Sequence, residues 1–263
     1  MYKDLAAQII ELLNQRHKLT TSDVTSAFGV SEATARRFFK RLADMGEVRR
    51  IHGGIEEVKR DIDPAWSYLL RMQWYPEIKM AIARKTVELI KDCKTVFIDG
   101  GTTTAHLGKL PLNPQLRVIT NSMLLVEVMN QRPHERLPEI ILTGGRINHK
   151  SAILLGTEAE RCVEHFHADA AIISGSAIDS SYLYDNNEEP ASLQRRMIEH
   201  SDKVIVMADA SKFGKTASSC VVPVGKITTV VSNKLHKNID IIRAIENKGV
   251  KFEYTDFPCT PKA

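Results

Sequence analysis

Cysteine is scarce: Cys93, Cys162, Cys220 and Cys259 are the only four in 263 residues. No two form a CxxC pair and none stands beside a histidine at zinc-finger spacing. That excludes a disulfide scaffold and a zinc module, and the cysteines read as reduced thiols in a reducing compartment. Aromatic residues make up only 6% of the chain. Long apolar runs are missing, since none approaches the roughly 20 residues that span a bilayer. Met1-Tyr2-Lys3-Asp4 does not begin a basic segment leading into an apolar core, so no secretion signal is read there. The expectation is a soluble protein of the cytoplasm with no membrane partner. An excess of one charge is also lacking. Lys+Arg total 36 and Asp+Glu 32, which leaves +4 and no solvating tail. With 43% hydrophobic and 26% charged residues, the chain is neither disordered nor collagen-like. Its length fits one large domain or two unequal ones.

The small charge becomes informative when divided along the chain. Residues 1–60 hold 11 Lys/Arg against 8 Asp/Glu, so +3 of the +4 lies in that stretch. Leu5, Ile9, Leu12 and Leu13 recur at helical spacing and predict a helix over 2–16. Thr20 and Asp23 predict a reciprocal cap on a helix over 21–28, with Val24 and Phe28 inward. Gly29 ends it, because glycine tolerates the left-handed conformation of a tight turn. Ser31 is the next N-cap, and a third helix runs to about Met45 with Ala35, Phe38 or Phe39, and Leu42 inward.

Helix, glycine turn and helix form the helix-turn-helix layout, whose second helix offers its N-terminal residues to the DNA major groove. Here these are Ser31, Glu32, Ala33, Thr34, Arg36 and Arg37, with Lys40 one turn further. Arginine can bridge the guanine edge or clamp a phosphate. The segment 47–58 alternates and turns at Gly53-Gly54, which predicts a small β-wing carrying Arg49, Arg50 and His52 to the DNA backbone or minor groove. The domain reading is a winged helix-turn-helix over 1–58, a linker over 59–78 and an α/β domain over 79–263. The linker holds Asp63-Pro64, Trp66, Tyr68, Trp74 and Tyr75-Pro76, read as local packing onto a domain.

Beyond Pro76, apolar runs alternate with helical patterns. The runs are 95–98, 117–120, 140–143, 170–173, 204–208, 229–231 and 251–254. The helices are expected around 79–91, 102–109, 122–131, 157–166, 188–201 and 236–248. Such alternation predicts a mainly parallel sheet covered by helices, with ligands bound beyond the carboxyl ends of its strands. Polar and glycine-rich segments follow five of the runs: Asp99-Gly100-Gly101-Thr102-Thr103-Thr104, Thr120-Asn121-Ser122, Thr143-Gly144-Gly145-Arg146, Ser174-Gly175-Ser176 and Asp209-Ala210-Ser211-Lys212-Phe213-Gly214. Glycines and hydroxyls ahead of a helix make a phosphate cradle. The pattern is neither GxxxxGK[ST] nor GxGxxG, which removes the nucleoside triphosphate and dinucleotide readings. One cleft lined by hydroxyls, amides and the Lys212 cation suits a sugar phosphate, with Asp99 and Asp209 accepting from sugar hydroxyls.

The stretch FGVSEATARRFFKRLADMGEVRRIHGG resembles the winged helix-turn-helix of the DeoR family of bacterial repressors. IDGGTTT, ITNS, LTGG and ADASKFG are similar, in order and spacing, to that family's effector site. The resemblance implies a sensor similar to the ribose-5-phosphate isomerase fold. It also implies a repressor of sugar catabolism that binds an operator in double-stranded DNA, is switched by a phosphorylated sugar, and forms dimers or tetramers. Thr25, Ala35 and Phe38 depart from the usual pattern. No glycine occurs between Gly175 and Gly214, where the family has a glycine turn near 178–182, and the acidic residue expected at the next helix start is Glu188 or Glu189.

The contrasting hypothesis is a sugar-phosphate isomerase carrying a DNA-binding module, with Asp99, Asp209 or a glutamate at 188–189 as its base. Nothing in the sequence pairs such a base with an oxyanion stabiliser, so no catalytic residue is assigned. His134, His165, His167 and His200 lack metal-ligand spacing, and no metal or cofactor is expected. His106, just after the threonine loop, is a candidate for the cleft wall.

Overall fold

The computed structural model describes residues 2–44, 48–57, 68, 71–72, 74–132, 136–234 and 238–255. The chain divides into two compact units between Tyr75 and Pro76.

In the first unit, α1 (Tyr2–Arg16) buries Leu5, Ile9 and Leu13. Helix α2 (Thr21–Phe28) starts at the expected reciprocal cap between Thr20 and Asp23. It ends at Gly29, which has a φ of 64° that a side chain would resist. Helix α3 (Glu32–Asp44) follows, and the Ser31 hydroxyl accepts the Thr34 amide at 3.2 Å. Both Phe38 and Phe39 are buried, together with Ala35 and Leu42. The wing is β2 (Val48–Ile51) paired antiparallel with β3 (Gly54–Glu57). A third strand that the sequence did not announce, β1 (Lys18–Thr20), pairs with the outer side of β3. The β2–β3 register pairs Ile51 with Gly54, so the turn lies one residue earlier than expected, at His52-Gly53, and Gly54 is part of the strand. Gly54 must be bare because a Cβ there would lie 2.1 Å from the Leu19 carbonyl oxygen. Of the expected linker, Asp63-Pro64 and Trp66 lie outside the described residues. Tyr68 is buried, and Trp74 packs on the core formed by Ile9, Leu13, Phe39 and Ile55.

The second unit opens with α4 (Pro76–Leu89), its proline at the first helical position. The helix takes in the last three residues of the expected linker. A seven-stranded parallel sheet has the order β15-β14-β12-β9-β4-β5-β6. Its strands are β4 (Thr95–Ile98), β5 (Arg117–Thr120), β6 (Glu139–Leu142), β9 (Ala170–Ile173), β12 (Val204–Met207), β14 (Thr229–Asn233) and β15 (Lys251–Thr255). Strands β9 and β12 are buried at every position, as the continuous apolar runs of a sheet covered on both faces require. Alternate residues serve the two faces. Phe97, Ala171, Ile173, Val204 and Val206 join one core, and Val96, Ile98, Ala170, Ile172 and Ile205 the other. Helix α4 and α5 (Met123–Asn130) cover the second face; α6 (Thr157–Glu164), α7 (Glu188–Glu199) and α8 (Ile239–Glu246) cover the first.

The helix expected over 102–109 is instead a 3-10 helix, Thr104–Lys109. A short run opening in β-branched threonines is a poor α-helix starter. Two additions come from very short strands. One is the hairpin β7 (Arg146–Asn148) and β8 (Ile153–Leu155); the other is a small antiparallel sheet of β10 (Ala177–Ile178), β11 (Tyr182–Asp185) and β13 (Ser219–Pro223). Cys93, Cys162 and Cys220 are free thiols, and Cys259 lies outside the described residues. No helix among the described residues is long and apolar enough to cross a membrane.

Candidate functional site

Two surfaces concentrate the candidate residues. On the first unit, Ser31, Glu32, Ala33, Arg36, Arg37 and Lys40 are exposed and recur along one stripe of α3, opposite the face that buries Ala35, Phe38, Phe39 and Leu42. Thr34 is half-buried, its hydroxyl 3.0 Å from that of Ser31. Arg36 pairs with Glu32 one turn back at 2.9 Å. In the wing, Glu56 of the central strand pairs with Arg49 from one neighbour and Lys18 from the other. The Arg49 guanidinium holds the Glu56 carboxyl below the usual carboxylate range. Arg50 and His52 stand exposed at the wing tip. A helix stripe and a strand tip, both basic, present donors of the kind that phosphates and base edges accept.

In the second unit, parallel strands bring every carboxyl end to one edge of the sheet. This edge gathers Asp99 after β4, Asn121 after β5, Thr143 after β6, Ser174 after β9, Asp209 after β12 and Asn233 at the end of β14. The expected loops therefore share one edge, but many of their side chains serve the frame. Thr120 donates to the Ile98 carbonyl at 2.6 Å and accepts the Ser122 amide at 3.0 Å. Asn121 accepts the Gly100 amide at 2.8 Å and donates to the Leu154 carbonyl at 3.3 Å. Ser122 caps α5, Asp209 caps the 3-10 turn at Ala210–Lys212, and Thr104 donates to the Asp99 carbonyl at 2.7 Å. The bare positions at Gly100 and Gly101 have an internal cause too. A Cβ at Gly100 would meet Ile153 at 2.2 Å, and one at Gly101 would meet the Ser174 hydroxyl at 1.9 Å. Gly145 is crowded by Leu155 and Gly175 by Leu183, while Gly144 is open. Thr103 is buried, Ser176 and Lys212 are half-buried, and the Ser176 amide donates to Tyr184 at 2.9 Å.

The groups around Asp99 and Thr102 are of another kind. Asp99 is fully enclosed, and burial pushes its pKa up to about 7 although Gln194 donates to it. Gln194, from the middle of α7, reaches Asp99 Oδ2 at 2.8 Å and the Ser174 carbonyl at 3.1 Å. Lys79, in the first turn of α4, is 4% exposed and donates to Thr102 Oγ1 at 3.1 Å. His106 bonds the Thr102 carbonyl through Nδ1 at 2.8 Å and is 1% exposed, so it locks the loop and does not present an open cleft wall. Burial pushes its pKa down to about 4. Glu189 is exposed and holds Arg146 through both oxygens, at 2.6 and 2.7 Å.

Sequence reading missed Lys79 and Gln194. Each sits inside an ordinary amphipathic helix, and the one available signal was a polar residue at a helix position that otherwise faces the core. A hollow of about 550 Å³ lies at the opposite edge of the sheet, lined by residues such as Lys91, Lys94, Asn113 and Glu139 that precede or begin strands.

Two family models match the chain. That of the DeoR-like helix-turn-helix domain covers residues 6–61, and that of the DeoR C terminal sensor domain covers residues 75–234. The glycerol-3-phosphate regulon repressor of Escherichia coli (strain K12) is 32% identical over 84% of this chain and 86% of its own length. The transcriptional repressor AccR of Agrobacterium fabrum is 31% identical over 88% of this chain and 89% of its own. Among solved structures, ribose 5 phosphate isomerase A from Neisseria gonorrhoeae is 17% identical over 52% of this chain and 53% of its own, with a TM-score of 0.37. These two relatives, each matched over most of the chain, are named as repressors and not as enzymes, which speaks against the isomerase alternative.

Proposed function

We propose, since the chain belongs to the DeoR family of DNA-binding transcriptional repressors, that its second unit binds a phosphorylated sugar at the carboxyl edge of the parallel sheet and so sets operator affinity. One observation carries this reading. A lysine ammonium, Lys79, is buried against the hydroxyl of Thr102 in the loop that follows β4. A lysine that already donates to a hydroxyl of the loop is placed to donate to an anion bound at that loop as well. Acceptors lie a few residues away at Asp99, where sugar hydroxyls find partners. Lys212, half-buried after β12, supplies a second cation on the same edge. A relative named for a regulon of a phosphorylated polyol supports the chemical class. The proposed DNA contacts are the α3 stripe from Ser31 to Lys40 with Arg49, Arg50 and His52 of the wing.

Regulation follows by linkage. An effector that prefers one arrangement of a homo-oligomer changes the spacing of its DNA heads, and half-sites at fixed helical-turn separation then fit worse. The test uses full-length protein, an operator fragment and a panel of sugar phosphates. The wild type should release the operator on adding the effector. K79M and K212A should bind the operator with unchanged affinity and fail to release it. A K79M protein that responds normally would remove Lys79 from the site, and a normal K212A would remove Lys212.

A further inference from the structure

Gln194 reaches the site from the buried side of α7 and is 1% exposed. The two groups its Nε2 meets, Asp99 Oδ2 and the Ser174 carbonyl, are both acceptors. That fixes the amide's orientation, since a flip would set Oε1 against a carboxylate and a carbonyl. Oε1 has no hydrogen-bond partner among the described residues. Within an amide the oxygen and nitrogen lie about 2.2 Å apart, so Oε1 is no more than about 5 Å from Asp99 Oδ2. The donors nearby are already directed elsewhere: the Ser174 amide and hydroxyl both point at Asp99 Oδ2, each at 3.4 Å. Above about pH 7, where Asp99 is ionised, what remains is a patch of acceptors short of one donor. A buried carbonyl left in that state is costly.

Such a patch repels a phosphate, whose oxygens are acceptors, and attracts a hydroxyl. Asp99 and Thr102 stand three residues apart, at most about 10 Å along the chain. A small sugar phosphate can therefore touch both ends of the loop. We propose that Gln194 Oε1 accepts a hydrogen bond from a hydroxyl of the bound sugar, which places the polyol end of the effector at Gln194 and Asp99 and its phosphate at Lys79 and Thr102. This rests on the sugar-phosphate reading above. Gln194 is then a specificity contact, because a site built to bond a hydroxyl rejects the analogue that lacks it.

The test is thermal melting of the full chain with inorganic phosphate and with glucose 6-phosphate, fructose 6-phosphate and ribose 5-phosphate, using the sugar phosphate that stabilises the wild type most. Ligand binding raises Tm by mass action. Q194M keeps the side-chain volume and removes the acceptor. It should keep the response to inorganic phosphate and bind the sugar phosphate about tenfold more weakly. A second arm needs no variant. On the wild type, a deoxy series of the same sugar phosphate should lose a similar factor at one hydroxyl, and Q194M should be indifferent to that hydroxyl. Equal binding by Q194M and wild type, with no sensitive hydroxyl in the deoxy series, overturns the inference and leaves Oε1 to a buried water. A wild type that none of these sugar phosphates stabilises overturns the sugar-phosphate reading and this inference with it.

Discussion

Asp99 shows how much one side chain can report. Its carboxyl is enclosed by its own loop, Ser174 and Gln194, and the Asp185 charge nearby adds to the effect of burial in raising its pKa to about 7. The unperturbed group titrates near 3.8. Between these values the folded state holds the proton that the unfolded chain gives up. Its stabilising contribution is therefore complete below about 4 and is lost as pH rises toward 7. D99N removes this titration while keeping the shape. In denaturant titrations of the ligand-free chain from pH 5 to 8, the wild type should lose stability relative to D99N, and D99N should be the more stable at pH 8. Parallel pH profiles for the two would mean that the carboxyl is solvated. His106 behaves oppositely: with a pKa near 4 it stays neutral, and its Nδ1 keeps the proton it shares with Thr102.

The helix-turn-helix and its wing are held by two different uses of glycine. Gly29 lies at φ 64° with nothing within 4 Å of the Cβ position, so G29A strains only the backbone. That should cost about 1 kcal/mol. Gly54 has an ordinary φ but no room, since its Cβ would fall 2.1 Å from the Leu19 oxygen and drive β1 away from β3. Thermal unfolding should show a small drop for G29A and a distinctly larger one for G54A. Equal drops would mean that β1 yields easily and contributes little to the wing. Glu56 of β3 pairs with Arg49 of β2 and is also reached by Lys18 of the third strand, so Arg49 enters any DNA complex with its charge already partnered.

Function is divided between the units much as charge is. The head carries +3 within residues 1–60, and the sensor is close to neutral. A modest charge per copy makes the proposed oligomer a source of summed, salt-dependent attraction to DNA. R37A should weaken operator binding about tenfold or more if Arg37 contacts a base, and should flatten the salt dependence if it contacts a phosphate. In both cases the Tm shift caused by sugar phosphate should be unchanged. Loss of both properties together would contradict two separable units.

Local signals settled a large part of this architecture. Periodicity placed α1 and the apolar strands β4, β5 and β9, and a capping pair with a glycine stop bounded α2, because these preferences act within a few residues. The five polar segments after the strands were legible for the same reason. Which of their side chains face outward was not, since Thr120 and Ser122 bond within the frame and Thr104 closes its own loop. The groups that give the candidate site its chemistry meet across the chain: Lys79 with Thr102 over 23 residues, Arg146 with Glu189 over 43, Gln194 with Asp99 over 95. Such meetings depend on strand order and on which face each helix covers. Alternating strands and helices are compatible with many orders, so the sequence determined the parts and their polar ends. Only the folded sheet decided which ends became neighbours, because burying both faces at once selects a single arrangement.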